Sequence, residues 1–155
     1  MLSLKFFPVI LFFSSCSPDP IDIAEEEQKI LNLLQQERKA HFEKIVDLFA
    51  SNFPPNAIMV NKGKVSQPSV EEFKKRFQTY FNSVEFIKWD DIADPIIRFS
   101  ADASIAYAIV QKQVIVSYPD SLGKKITDTT DYAWATIYRK QKGNWVGECN
   151  ISTNK

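Results

Sequence analysis

The sequence predicts an α+β fold in which helices come first and a long antiparallel sheet follows. Two observations carry this expectation. Apolar residues recur at helical spacing from about Asp22 to Phe81, around one short strand, and beyond Asn82 they alternate with polar residues at period two. The period-two runs are also joined by short turn-like stretches, which makes successive strands antiparallel neighbours. Helices followed by such a meander pack as a layer on one curved face of the sheet.

The first helical pattern runs from about Asp22 to Ala50. Ile30, Leu33, Leu34, His41, Ile45, Leu48 and Phe49 form its apolar stripe, with glutamates, glutamines and lysines read as the opposite face. Asp22 is placed to cap it, and Glu25–Glu27 suit the positive end of the helix dipole. The pattern is long for one helix, so a bend or break is expected near His41–Lys44, and Pro54-Pro55 ends it. Ala57–Val60 reads as a short strand followed by the turn Asn61-Lys62-Gly63-Lys64. Ser69 and Glu72 have capping-box spacing, opening a helix whose buried face is Val70, Phe73, Phe77, Tyr80 and Phe81. Strands are expected at Val84–Trp89, Ile96–Phe99, Ser104–Tyr118, Thr127–Lys140 and Asn144–Ser152. Asp90-Asp91…Pro95 and the other Asp-, Pro- and Gly-containing stretches between them read as turns.

Composition removes several function classes. The 155 residues carry 19 Lys+Arg and 19 Asp+Glu, so no net field draws the chain to nucleic acid. One His and two Cys cannot assemble a zinc set, and no metal site is expected. The scattered glycines form neither a phosphate loop nor a dinucleotide fingerprint, and no cofactor is implied. Twelve Phe, five Tyr and three Trp supply ample material for a core.

The N-terminus reads as an address. A single Lys precedes the apolar run Phe6–Phe13, which is shorter than the ~20 residues needed to span a bilayer. Phe13-Ser14-Ser15-Cys16 resembles the lipobox of bacterial lipoproteins, which implies cleavage before Cys16 and a lipid on its sulfur. Residues 1–15 are then a signal peptide, 16–24 a lipidated Cys with a Pro-rich tether, and 25–153 the folded domain. Ser17 after the Cys, where some lipoproteins carry Asp, implies by the same resemblance an outer-membrane location in the cell envelope. Cys149 is then left without an intramolecular partner and is read as a buried small hydrophobe.

The element order is similar to that of the nuclear transport factor 2-like superfamily, its SnoaL-like branch in particular. Glu37-Arg38-Lys39-Ala40-His41, Asn61-Lys62-Gly63-Lys64, Trp89-Asp90-Asp91, Tyr138-Arg139-Lys140, Gly143-Asn144-Trp145 and Ser152-Thr153 carry the likeness. It implies a cone-like sheet wrapped on two to three helices, a mostly apolar cavity, and often a homodimer. The family holds isomerases, dehydratases, epoxide hydrolases and members without known activity, so the fold does not decide the function.

Candidate site residues are few. His41, the one imidazole, lies on the apolar stripe and is either a cavity-floor base or donor, or a core histidine satisfied by a carbonyl or carboxylate. Its candidate catalytic partners are Asp91, Asp131 and Glu148. Trp89 sits in an acidic cluster that is either a cavity rim or a solvated turn. Tyr132, Trp134 and Tyr138 share one strand face, with Tyr107 and Asn150 on adjoining strands. The ligand-contacting set read from sequence is therefore His41, Trp89, Tyr107, Trp134 and Asn150. Three functions stay open: non-catalytic binding of a small apolar or aromatic molecule, an isomerase, dehydratase or hydrolase using His41 with a carboxylate, and a dimeric interaction module. For the address itself, radiolabelled palmitate is expected to follow the protein in bacteria and to be lost in Cys16→Ala; equal labelling of the two would reject lipidation.

Overall fold

The computed structural model describes residues 21–154, so the apolar run and Cys16 lie outside the described residues. Helix α1 spans Ile23–Phe42, and the Asp22 carboxylate accepts from the backbone N–H groups of Ala24 and Glu25. The expected break follows at once. Lys44 adopts a left-handed φ of 55°, its N–H donates to the His41 carbonyl, and the Ile45 N–H donates to the Ala40 carbonyl. That pair of bonds is a Schellman stop, with a lysine in the place usually taken by glycine. Helix α2, Val46–Ala50, then leaves in a new direction. The polar face of α1 is not wholly polar: Glu26 is buried, and Glu37 is half-buried on the same side as Leu34 and His41.

Strand β1, Ile58–Asn61, turns through left-handed Lys62 and Gly63 into the short β2, Lys64–Ser66, which the sequence had not suggested. The capping box at Ser69 and Glu72 is fully formed and opens α3, Val70–Ser83. Phe73 and Phe81 are buried on its inner side, while Val70 is 38% exposed.

Four long strands complete the chain: β3 Glu85–Phe99, β4 Ile105–Pro119, β5 Lys125–Gln141 and β6 Asn144–Asn154. They form an antiparallel meander, and β1 joins parallel to β6 to give the order β2-β1-β6-β5-β4-β3. The sheet is curved and does not close. Asp90–Pro95 is no turn: it continues β3 with register shifts around Asp91, Ala93 and Ile96. Bulges absorb the residues that cannot join the ladder, Pro95 among them, and bend the strand.

Period two decides what the sheet buries. Ala106, Ala108, Val110, Lys112, Val114 and Val116 on β4 are buried toward the helices, while Ile105, Tyr107 and Ile109 face outward and are exposed. Ile30 and Phe81 have no exposed surface, and burial of each side chain stabilises by roughly 1.5–3 kcal/mol. Glu26 ties α1 to the β5–β6 hairpin. Its carboxylate accepts from Trp145 Nε1 at 2.7 Å and pairs with Lys140 at 2.7 Å and Lys29 at 3.0 Å. Burial alone would raise this acid, but the three donors outweigh it and hold the carboxyl down to about 2. The clamp is therefore complete above the ordinary carboxylate value of 4.5 and is lost as pH falls from there toward 2. Gly147 lets the α2–β1 connection close on β6. Its N–H donates to the Asn52 carbonyl at 2.7 Å, and a Cβ there would lie 2.8 Å from the Phe53 ring.

Candidate functional site

Because α1 stops at Phe42, α2 and α3 form a second wall that stands off the sheet. The space between is a cavity of about 720 Å³, within the range of small-molecule sites. Its walls are aromatic: Phe49, Phe53, Phe73 and Phe77 from the helical side, Trp89 and Trp134 from the sheet. Exposed residues of the β1–β2 hairpin, Lys62, Lys64, Val65 and Ser66, together with Arg76 of α3, mark its open end. Buried His41, Trp89 and Trp134 mark its deep end.

The deep end contains polar atoms with unused bonding capacity. His41 is 2% exposed and its Nδ1 lies 2.8 Å from the Glu37 backbone carbonyl, so Nδ1 carries the proton and donates. Nε2 is then an acceptor, and no protein group among the described residues donates to it. Burial pushes the ring down to about 4, despite the carbonyl bond, and Lys112 adds to the effect. His41 is a neutral imidazole at physiological pH. It stacks on the Trp89 indole at 3.7 Å between centroids and meets Phe49, Phe81 and Phe86 edge-on. Trp89 Nε1 is closed off from solvent and has no hydrogen-bond partner among the described residues.

Glu37 brings the only carboxyl among the residues lining the cavity. Among the described residues no hydrogen bond stabilises its ionised form; burial pushes it up to about 7, with Lys112 pulling down and the Asp91 charge pushing up. Burial, with the Glu37 charge adding to it, pushes the Tyr138 phenol well above its ordinary value. A carboxyl poised near neutrality in an apolar cavity can donate a hydrogen bond when protonated and accept one, or a proton, when not.

The structure sorts the residues singled out from sequence. His41, Trp89, Trp134 and Asn150 line the cavity, Asn150 donating to Thr136 Oγ1 at 2.9 Å. Tyr107 does not; it stands opposite Ile137 on the outer face of the sheet, 42% exposed. None of the three carboxylates matched with His41 bonds it. Asp91 pairs with buried Lys112 because β3 continues through the expected turn and sets the two in register. Asp131 lies on the odd-numbered face of β5 and accepts from Gln113 Nε2 at 3.2 Å. Glu148 falls at the β6 register shift and binds Arg139 through both oxygens at 3.0 Å. Glu37 was the omission. Its signal was present, because it lies three residues after Leu34 and four before His41, on the apolar stripe itself.

Across the outer face, Ile96, Ile109, Ala135 and Ile151 stand in register from β3 to β6. The three isoleucines are 40–49% exposed, giving an apolar row across four strands. Among the described residues no group of His, Cys, Asp and Glu is placed to hold a metal ion, and no helix is long and apolar enough to cross a membrane.

No family model matches the chain, and no curated protein matches it. Solved structures do resemble it. A ketosteroid isomerase-like protein from Erwinia carotovora atroseptica superposes with a TM-score of 0.63 at 12% identity, over 84% of this chain and 96% of that one. An NTF-2-like protein of unknown function from Shewanella oneidensis gives 0.60 at 12% identity, over 82% and 98%. The association domain of C. elegans CaMKII gives 0.57 at 15% identity, over 84% and 96%. At these identities the likeness establishes the fold, an NTF-2-like α+β cone with the sheet wrapped on its helices.

The Glu37 carboxyl generates a test. The folded protein keeps its proton between the ordinary value of 4.5 and about 7, where the unfolded chain has lost it. Stability therefore falls as pH rises through that window, by on the order of 3 kcal/mol. Glu37→Gln is expected to raise the melting temperature by about 6 °C at pH 8 and to change it little at pH 4.5. A difference from wild type that does not vary with pH would contradict the assignment.

Proposed function

We propose that the protein is a lipid-anchored envelope protein that binds, without transforming, a small molecule with an apolar or aromatic body in this cavity. The observation that carries the reading is an aromatic cavity whose deep end offers two polar groups unengaged among the described residues: the Glu37 carboxyl and His41 Nε2. Structural polar groups in a core find partners within the protein. Groups left without partners beside open space are arranged to meet one from outside. The export half of the reading rests on the Phe6–Phe13 run and Cys16.

A second reading, catalysis by proton transfer, is favoured by one feature. Glu37 near 7 is matched to neutral pH, as general acid–base work requires. In that reading Glu37, not Asp91, Asp131 or Glu148, is the carboxyl that works beside His41. The two readings separate on Glu37→Gln, which abolishes turnover of a bound substrate in the second, whereas in the first a bound molecule is recovered unchanged from wild type and variant alike.

A second copy of the chain is the proposed cover for the apolar row at Ile96, Ile109 and Ile151, since exposed apolar rows of this extent mark contact surfaces. The similarity to a CaMKII association domain supports self-association.

Neutral aromatic alcohols such as 2-naphthol are expected to quench Trp89 and Trp134 emission saturably and to raise the melting temperature; a panel of apolar and aromatic compounds that never does so would sink the binding reading. Light scattering is expected to give twice the chain mass for wild type and the single mass for Ile109→Lys, and a wild-type monomer would refute the dimer.

A further inference from the structure

The charges on the cavity are sorted along its depth, and this sorting narrows the class of molecule it takes. Lys62 and Lys64 flank Gly63 at the tip of the β1–β2 hairpin, and both line the open end. Arg76 reaches the same end from α3. It sits three residues after Phe73 and four before Tyr80, so the helix presents it on the same face as those cavity-lining rings. None of the three cations forms an ion pair among the described residues, whereas Lys29, Lys44, Lys74, Lys112, Arg139 and Lys140 all do.

No acid among the lining residues balances them. Glu37, at the other end, is the one carboxyl lining the cavity, and burial holds it partly protonated near neutral pH. Asp128 lies close enough to act on the Tyr80 and Tyr132 phenols but does not line the space. The path inward therefore passes three cations without an ion pair among the described residues (Arg76 lies over the Phe77 ring, 5.2 Å from its centroid), then aromatic walls, then neutral hydrogen-bonding groups.

We infer that the ligand is an amphipathic anion: a carboxylate or similar monoanion held by Lys62, Lys64 and Arg76, an apolar or aromatic middle between the rings, and a hydroxyl or carbonyl at the far end facing Glu37 and His41. This rests on the cavity-binding reading and adds polarity and direction to it. Arg76 can take a carboxylate with two parallel N–H bonds, and the lysines add point charges that steer it to the mouth. An anionic end could not go deep. It would meet the Glu37 carboxyl and lose its hydration where the nearby cation, Lys112, does not line the cavity and is already paired with Asp91. Cationic amphiphiles are disfavoured at the mouth for the opposite reason.

Two probes of equal length isolate the anionic end: 10-hydroxydecanoate and 1,10-decanediol, titrated against the purified protein by calorimetry at pH 7. The acid is expected to bind about tenfold tighter, from three solvent-exposed charge contacts of modest individual strength. That preference is expected to shrink as salt rises from about 0.05 M to about 0.5 M. It is also expected to disappear in the triple variant Lys62→Gln, Lys64→Gln, Arg76→Gln. The variant Lys75→Gln, Lys124→Gln, Lys142→Gln, with the same loss of charge away from the cavity, is expected to retain it. Equal binding of both probes to wild type, or a preference that the control variant loses as fully, overturns the inference and leaves the cavity reading intact. Binding of neither probe overturns both.

Discussion

The Schellman stop at Glu43–Ile45 sets where the sheet is covered and where it is left open. Through Phe42, α1 lies on the concave side of the sheet, with Ile30 and Leu34 packed beside Ala106, Ala108 and Val110. The left-handed Lys44 then turns the chain, and the Ile45 and Lys44 N–H groups satisfy the last carbonyls of α1. Had the helix continued at 1.5 Å per residue, its next turns would have run on across the sheet. Instead α2 and α3 gather into a separate cluster of phenylalanines around Phe49, Phe73 and Phe81. Two walls that diverge from one hinge leave the space between them unfilled, and the last two turns of α1 supply that space with Glu37 and His41.

This geometry explains the unusual state of the residues at the hinge. His41 is held by a backbone carbonyl one turn earlier and by the Trp89 stack, which fixes its tautomer and orientation. Arg38, on the other flank of α1, donates to the Trp89 carbonyl at 3.2 Å and to Asp90 at 3.3 Å, binding the helix end to the bulged strand. Behind the wall, Lys112 is 2% exposed and is neutralised by Asp91. Glu37 is left facing the cavity with charges of both signs nearby and, among the described residues, no hydrogen bond to its own carboxyl. Placing it there costs stability at neutral pH, a local conflict of the kind folds tolerate where a site is built.

Much of the frame was legible in the sequence because it follows local rules. The Asp22 cap, the break after His41, the Ser69–Glu72 capping box and the alternation of β4 each depend on a few neighbouring residues. What escaped depended on partners distant in the chain. Asp90–Pro95 carries turn residues, yet pairing with β4 kept it extended and bulges took up the misfit. Lys112 and Glu26 have charges that favour solvent, yet Asp91 in one case and Trp145 with Lys140 in the other make burial tolerable. Glu37 lay on the apolar stripe but was read as part of the polar face, since helical spacing alone cannot say that a wall opposite is missing. Period two likewise gave two faces to each strand without saying which looked inward. The helices decided that, sending Trp134 in and Tyr107 out.

A carboxyl without a partner among the described residues stands at the deep end of an apolar cavity and titrates near neutrality. Carbon-detected NMR of the Glu37 side-chain carboxyl across pH 3–9 measures it directly. The expected midpoint is close to 7 and moves when an apolar alcohol fills the cavity. A midpoint near the ordinary 4.5, unmoved by such a ligand, would mean that water and cations reach Glu37 freely and that the cavity is not the site described here.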